Sequence, residues 1–338
     1  MEPPVSRNML PPFVVLFGPT ASGKTEILRK LASRQPCSAR RDGPWFEIVS
    51  ADSMQVYRGM NIGTAKPSAD ERRSLPHHLI DIRDPDEQFT VGDFVRESET
   101  CIHDIAARGR LPVVSGGTAF YLRALLCGLP ETPPSDPDIR AEIESQRDER
   151  GLAAMHAQLE AIDPEGARAI DPHDAYRIVR ALEVHRVSGR PRSAFRAPER
   201  LRDGLSCSVF ELLLPRETLY ARINERVDQM FARGLPDEVD RLRAAGFGKT
   251  TQALRAIGYR EFFEADGRES GDLSRVRMTI QRNSRRYAKR QGTFAHLIPE
   301  RIGIAPEEIG RIAEGCERMF DVINTARSPV DQARERPI

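Results

Sequence analysis

The chain has 338 residues, 51 Lys and Arg against 50 Asp and Glu, 39% hydrophobic and 30% charged side chains. That balance excludes wholesale disorder, collagen-like structure and a disulfide scaffold, and the length suits one main domain carrying an insertion. The five cysteines, Cys37, Cys101, Cys127, Cys207 and Cys316, lack the paired spacing of a zinc site and read as free thiols in a reducing cytosol. Met1 to Pro12 holds four prolines and no apolar core of a secretory signal, and no apolar run nears bilayer-spanning length. A cytoplasmic protein is expected.

The first element is the apolar run Phe13 to Phe17, bounded by Pro12 and Gly18, which predicts a strand buried on both faces. A glycine loop follows, then helical spacing of apolar residues from Glu26 to Ala32. Further strands are predicted at Phe46–Ser50, Leu79–Ile82 and Leu111–Ser115, with a helix over Val91–Arg108 and another over Ala119–Leu126. From Pro130 to Pro198 strand signals vanish and charged helical patterns take over, at Ile139–Arg150, Leu152–Ile162 and Asp174–Val187. Ser206–Leu214 reads as a strand rejoining the sheet, and Leu219–Ala245 and Arg275–Arg290 as helices. Alternation of strands and helices implies a parallel sheet, with ligands at its carboxyl edge. The expected organisation is a core from residues 10–130 and 204–325, a helical insertion at 131–203, and a frayed tail at 326–338.

Gly18-Pro19-Thr20-Ala21-Ser22-Gly23-Lys24-Thr25 matches the spacing G-x-x-x-x-G-K-[ST] between a strand and a helix, the context in which that motif binds phosphate. Its backbone N–H groups and the helix N-terminus converge on oxyanions, Lys24 adds a positive charge, and the Thr25 hydroxyl is placed to ligate Mg²⁺. The loop accepts any diphosphate. The expected fold class is α/β: a P-loop NTPase-like parallel sheet flanked by helices, with a helical insertion domain.

Asp52 ends the second strand and so faces the phosphate loop, where it could bind Mg²⁺, accept a proton from a nucleophile, or cap a helix. Ser115-Gly116-Gly117-Thr118 closes another strand; Thr118 could cap the next helix or hydrogen-bond a substrate. His77 and His78 read as structural. Between Arg275 and Arg290 lie seven Lys or Arg residues and no acid, interleaved with Tyr287 and followed by Phe294. Solvated faces mix signs, so this run points to nucleic acid. Arg177 and Arg180 share a helix face, and Tyr259 is an aromatic available to stack an unpaired base.

With these residues in view, the chain resembles the tRNA dimethylallyltransferases, also called tRNA isopentenyltransferases. The resemblance rests on the phosphate loop, Asp52-Ser53 through Tyr57, Gly59-Met60-Asn61-Ile62-Gly63-Thr64-Ala65-Lys66-Pro67, Pro76-His77-His78 through Asp84-Pro85, Gly116-Gly117-Thr118, Arg180-Ala181-Leu182-Glu183-Val184, Gly258-Tyr259-Arg260 and Ala288-Lys289-Arg290-Gln291. It implies transfer of a dimethylallyl group from dimethylallyl diphosphate to N6 of adenine 37 in tRNA, with Mg²⁺ as cofactor, no membrane and a monomer without an obligate protein partner. By the same resemblance Thr20 to Thr25 hold the diphosphate, Asp52 is the catalytic base, and Thr118 and Arg140 contact the RNA at the reacting site. The remaining tRNA contacts fall on Asp52, Ser53, Met54 and Gln55; on Tyr176, Arg177, Ile178, Val179 and Arg180; on Arg255, Ala256, Ile257, Gly258, Tyr259 and Arg260; and on Ser284, Arg285, Arg286, Tyr287, Ala288, Lys289, Arg290 and Gln291. One departure stands out: after Lys-Arg-Gln the family continues with a hydrophobic residue, Thr and Trp-Phe-Arg, where this chain has Gly292-Thr293-Phe294-Ala295-His296. Two rival readings share the residues: a small-molecule kinase using ATP in the same loop, and a non-catalytic RNA-binding module.

Overall fold

A computed structural model describes residues 9–36, 43–264 and 273–326. It divides into two compact units, Met1–Leu126 with Leu201–Ile338 and, between them in sequence, Cys127–Arg200. The expected tail falls beyond the described residues except for Ala326, which closes a helix.

The first unit is built on six strands, β1 (Phe13–Phe17), β2 (Phe46–Ala51), β3 (His77–His78), β4 (Leu111–Gly116), β5 (Cys207–Leu212) and β6 (Ile302–Ile304), in the order β3-β2-β4-β1-β5-β6. Every pairing is parallel. Continuous apolar composition in β1 follows from this: a central strand with helices on both faces has no wet side, and all five of its residues are buried. Phe17, Gly116 and Ala51 are level across β1, β4 and β2, so the chain leaves the three strands side by side at one edge. Gly116 makes that possible, because a Cβ there would lie 2.1 Å from the Ala51 carbonyl oxygen.

One face is sealed by the helix Lys24–Ala32, through Ile27, Leu28 and Leu31, and by the helix Ile309–Ala326, through Ile312, Cys316, Phe320 and Ile323. The second of these had no element assigned from its sequence. It packs on Val14, Leu16, Val113 and Phe210, with Trp45 edge-on to Phe320 at 5.7 Å between ring centroids.

Two expected elements are corrected. The strand expected at Leu79–Ile82 is confined to His77–His78, because Leu79 (φ 61°) and Asp81 (φ 57°) are left-handed and cannot continue a ladder. Their backbone turns instead toward the loop after β2, where Asp81 N–H donates to Gln55 O (3.2 Å) and Ile82 N–H to Val56 O (2.8 Å). The single helix expected over Leu219–Ala245 is two, Arg216–Ala232 and Leu235–Ala244, broken at Gly234 (φ 89°) with Pro236 in the next first turn.

Glu47 on β2 is buried against three basic side chains: His78 Nε2 at 2.6 Å and the guanidinium groups of Arg108 at 2.8 Å and Arg110 at 2.7 Å. Burial pushes its carboxyl up, but the hydrogen bonds from His78, Arg108 and Arg110 outweigh it and hold the group at about 2, below its ordinary 4.5. A depressed carboxyl stabilises the fold above its ordinary value and loses that contribution as pH falls toward the folded one. Glu47→Gln is therefore expected to cost about 2–4 kcal/mol at pH 7, with the gap to the native chain closing between pH 4.5 and 2 in denaturant unfolding.

The second unit is helical. Pro137–Arg150, Leu152–Ile162, Pro164–Ala169 and Ala175–Ser188 pack around Ile143, Met155, Leu159, Ile178 and Leu182. Asp136, Asp163 and Asp174 cap three of these helices through backbone N–H groups, and Pro137 and Pro164 occupy first-turn positions where a missing N–H costs nothing. No helix among the described residues is long and apolar enough to cross a membrane.

Candidate active site

The chain leaving β1 forms a tight loop with Ala21 (φ 62°) and Gly23 (φ 95°) left-handed and Ser22 N–H donating to Pro19 O at 3.2 Å. Gly23 then starts the helix at Lys24, so unpaired first-turn N–H groups point outward from the loop. Lys24 Nζ folds back onto it, donating to Gly18 O (2.8 Å), Pro19 O (2.9 Å) and Ser22 Oγ (3.3 Å). Burial, and then the charge of Arg226, lower its ammonium to about 7 against the opposing pull of Asp52.

The loop opens on a cavity of about 790 Å³, walled by Asp52 to Gln55 after β2, Gly63 to Pro67, and Ser115 to Gly117 at the end of β4. Asp52 Oδ1 accepts the N–H of Met54 (2.8 Å) and Gln55 (3.3 Å), an Asx turn and not a helix cap. Oδ2 accepts no hydrogen bond from a described residue. Thr118 does not line the cavity. Its Oγ1 instead accepts the Ser53 N–H at 3.1 Å and lies 3.5 Å from Ser53 Oγ, tying the Asp52 turn to the strand end.

The helix Leu273–Ala295 closes the cavity from the other side. Its inner face is Val276, Ile280, Ala288, Gln291 and Ala295, all buried, with Ser284, Tyr287, Arg290 and Gln291 on the cavity wall. The Tyr287 hydroxyl lies against the Thr118 and Gln291 side chains, and burial together with the Asp52 charge pushes it up to about 12. Arg286, Lys289 and Arg290 are exposed, whereas Arg285 is half-buried and donates to Asn224 Oδ1. Past the helix, Phe294 is exposed and His296 Nδ1 takes Arg301 at 2.7 Å.

Of the other expected positions, Arg255, Ala256, Ile257, Gly258 and Arg260 line the same cavity. Tyr259 does not present its ring for base stacking: it is fully buried and donates to Glu238 Oε1 at 2.7 Å. Glu238 also accepts the backbone N–H groups of Asn61, Ile62 and Gly63, so Tyr259 helps anchor the wall that continues to Pro67. In the helical unit Arg140 stacks over the exposed Tyr176 ring at 5.1 Å, and Arg180 pairs with the buried Glu183 at 2.9 Å. Glu183 is fixed in turn by Ser135 Oγ (2.6 Å) and the Asp136 N–H (2.8 Å). Ile178 and Val179 are core residues there, leaving Arg177 exposed on the same helix.

Arg222, Arg226 and Arg233 also line the cavity and were missed in the sequence. Arg222 and Arg226 are four apart on the helix Arg216–Ala232, whose Ile223, Val227 and Met230 face inward. The four-residue spacing is present in the sequence, but Glu217, Glu225 and Asp228 on the same helix mask it. Arg226 forms no hydrogen bond or ion pair with a described residue, and burial lowers it from its ordinary value against the pull of Asp52. An unpaired guanidinium beside Lys24 is a place for an anion. Oxygen donors suited to a hard cation open on the cavity at Thr25 and Asp52, while no three His, Cys, Asp or Glu side chains converge among the described residues.

A parallel sheet with a glycine-lysine loop after its first strand, and with cationic side chains and a carboxylate around one cleft, defines an α/β protein of P-loop-like fold. Within that class the chain belongs to the IPP transferase family, whose model matches residues 55–297. It is 45% identical over 287 residues to the tRNA dimethylallyltransferase of Geobacter sulfurreducens, covering 85% of this chain and 89% of that one. Among solved structures, the full-length tRNA isopentenylpyrophosphate transferase of Bacillus halodurans is 37% identical with a TM-score of 0.63, over 93% of this chain and 98% of that one. A eukaryotic dimethylallyltransferase described as acting on tRNA shares the fold at a TM-score of 0.70 and 24% identity, over 97% and 81% of the two chains.

Proposed function

We propose that the enzyme transfers a dimethylallyl group from dimethylallyl diphosphate to N6 of adenine 37, next to the anticodon of tRNA. The observation that carries the reading is the meeting, in one cavity, of a diphosphate loop with Lys24 folded onto it, an unpartnered guanidinium, Arg226, and a carboxylate with an unengaged oxygen, Asp52. In the reaction the N6–C1 bond forms as the C1–O bond breaks, diphosphate leaves with the electron pair, and the N6 proton passes to Asp52. The adenine amino group is barely acidic before attack, so the proton moves as the new bond forms. Lys24, Arg226 and the loop N–H groups stabilise charge growing on the departing oxygens. Mg²⁺, held by the Thr25 hydroxyl and diphosphate oxygens, would add positive charge at the leaving group. A small-molecule kinase would share the loop, but the family match favours the prenyl donor.

The test combines protein, Mg²⁺, unmodified tRNA and labelled dimethylallyl diphosphate, with ATP as the parallel donor. Label on the tRNA adenine is the expected result; ATP consumption with phosphate on a small acceptor would replace the reading by a kinase.

The RNA is proposed to lie along the exposed cations of the helix Leu273–Ala295 and, in the helical unit, against Arg140, Tyr176 and Arg177. Replacing Arg286, Lys289 and Arg290 together by Gln is expected to weaken tRNA binding and flatten its slope of log K against log salt by about 2, at roughly 0.7 per phosphate contact on single-stranded RNA. An unchanged slope in filter binding would place the RNA on another surface.

A further inference from the structure

Gln291 stands apart from the cations around it. It belongs to the basic stretch by sequence, yet its side chain points inward from the helix Leu273–Ala295 and is 8% exposed. Its Oε1 accepts the Thr20 N–H of the phosphate loop at 2.9 Å, and its Nε2 donates to the Gly117 carbonyl at 2.8 Å. One carboxamide thus bridges the loop that ends β1 and the chain that ends β4. The next inward polar residue, Tyr287, sets its hydroxyl against both Gln291 and Thr118, and Thr118 holds the turn that carries Asp52.

A carboxamide satisfies both contacts, whereas a carboxylate would turn lone pairs toward the Gly117 carbonyl and an alkyl chain would leave both backbone groups unpaired. The space is made for it: a Cβ on Gly117 would lie 2.4 Å from Nε2, with Gly18 O at an ordinary 3.5 Å.

We infer that Gln291 is a positioning residue, a clamp that sets the separation between the donor-holding loop and the Gly117-Thr118 strand end supporting the proton acceptor. This rests on the prenyl-transfer reading, in which two substrates must meet in line. Misplacement by about an ångström costs in-line reactions up to about 10²-fold while leaving each substrate's own contacts in place.

The experiment first measures label transfer by the native full-length chain. No transfer there would sink the functional reading and not the clamp. Given native transfer, Gln291→Met is expected to lower single-turnover rate by about 10- to 100-fold, with diphosphate and tRNA affinities each within about threefold. A native rate would overturn the clamp, and so would a loss found wholly in affinity. Should Gln291→Met fail to fold, Gly117→Ala tests the same contact from its other side. Its rate loss should not be compounded in the Gly117→Ala, Gln291→Ala double variant, because both changes break one interaction. Multiplicative losses, or a native rate in Gly117→Ala, would mean that the bridge does not set the geometry.

Discussion

Asp52→Asn is expected to lower the single-turnover rate by about 10²–10⁴-fold while tRNA and diphosphate binding stay close to native, the usual worth of a general base. Asn is the informative change because its amide oxygen can still accept the Met54 and Gln55 N–H groups that now sit on Oδ1. The turn keeps its shape and only the basic oxygen is lost. Asp52→Ala would release both N–H groups as well, mixing a backbone effect into the kinetics. Rapid-quench turnover and filter binding on the same preparations separate the two quantities. A rate within threefold of native in Asp52→Asn would remove Asp52 as the proton acceptor and leave it a turn residue.

The second large effect belongs to Lys24. Lys24→Met is expected to reduce kcat/KM for the allylic diphosphate by about 10²–10³-fold, in line with loss of one preorganised charge at the leaving group. A proton signature accompanies it. The folded, ligand-free ammonium sits at about 7, below its ordinary 10.5, because burial and Arg226 disfavour the charged form. A lysine lowered in the folded state destabilises the fold while it is charged, and that penalty is relieved as pH rises from 7 toward 10.5. Diphosphate supplies the missing counter-charge, so binding at pH 8 should draw a proton from solution onto Lys24, and binding at pH 6 should draw little. Calorimetry in buffers of different ionisation enthalpy reads the uptake, and the difference between native and Lys24→Met isolates the lysine from the ligand's own protons. Equal uptake in the two proteins would show that Lys24 is already charged before diphosphate arrives.

What could be read from the chain alone was whatever depends on neighbours in sequence. A fully apolar Phe13–Phe17, glycines and lysine at fixed offsets, and Asp52 just past the next apolar run announce a parallel sheet, a phosphate loop and an acid at its carboxyl edge. The charged helical patterns at Ile139–Arg150, Leu152–Ile162 and Asp174–Val187 announce the helical unit in the same way, and Asp136, Asp163 and Asp174 cap its helices in the structure. These signals survive because the backbone's own hydrogen-bonding and steric limits enforce them locally.

Tertiary structure decided the rest. Leu79–Ile82 reads as a strand from its apolar residues, yet Leu79 and Asp81 have the backbone of a turn, since Gln55 and Val56, about two dozen residues earlier, accept the N–H groups of Asp81 and Ile82. Tyr259 looked available for stacking until Glu238, itself held by the Asn61–Gly63 amides, took up its hydroxyl. Arg226 was one charge in a mixed helix until the fold set it beside Lys24 with no partner of its own. Gln291 was part of a basic run until its carboxamide met Thr20 and Gly117 across the cavity. In each case the residue type was plain and the partner was not, because hydrogen bonds and charge pairing inside a fold are selected by three-dimensional proximity, for which sequence distance carries no signal. By itself the sequence determined which chemical groups the enzyme brings; the packing of helices on the sheet decided which of them face the cavity, and which are consumed in holding it open.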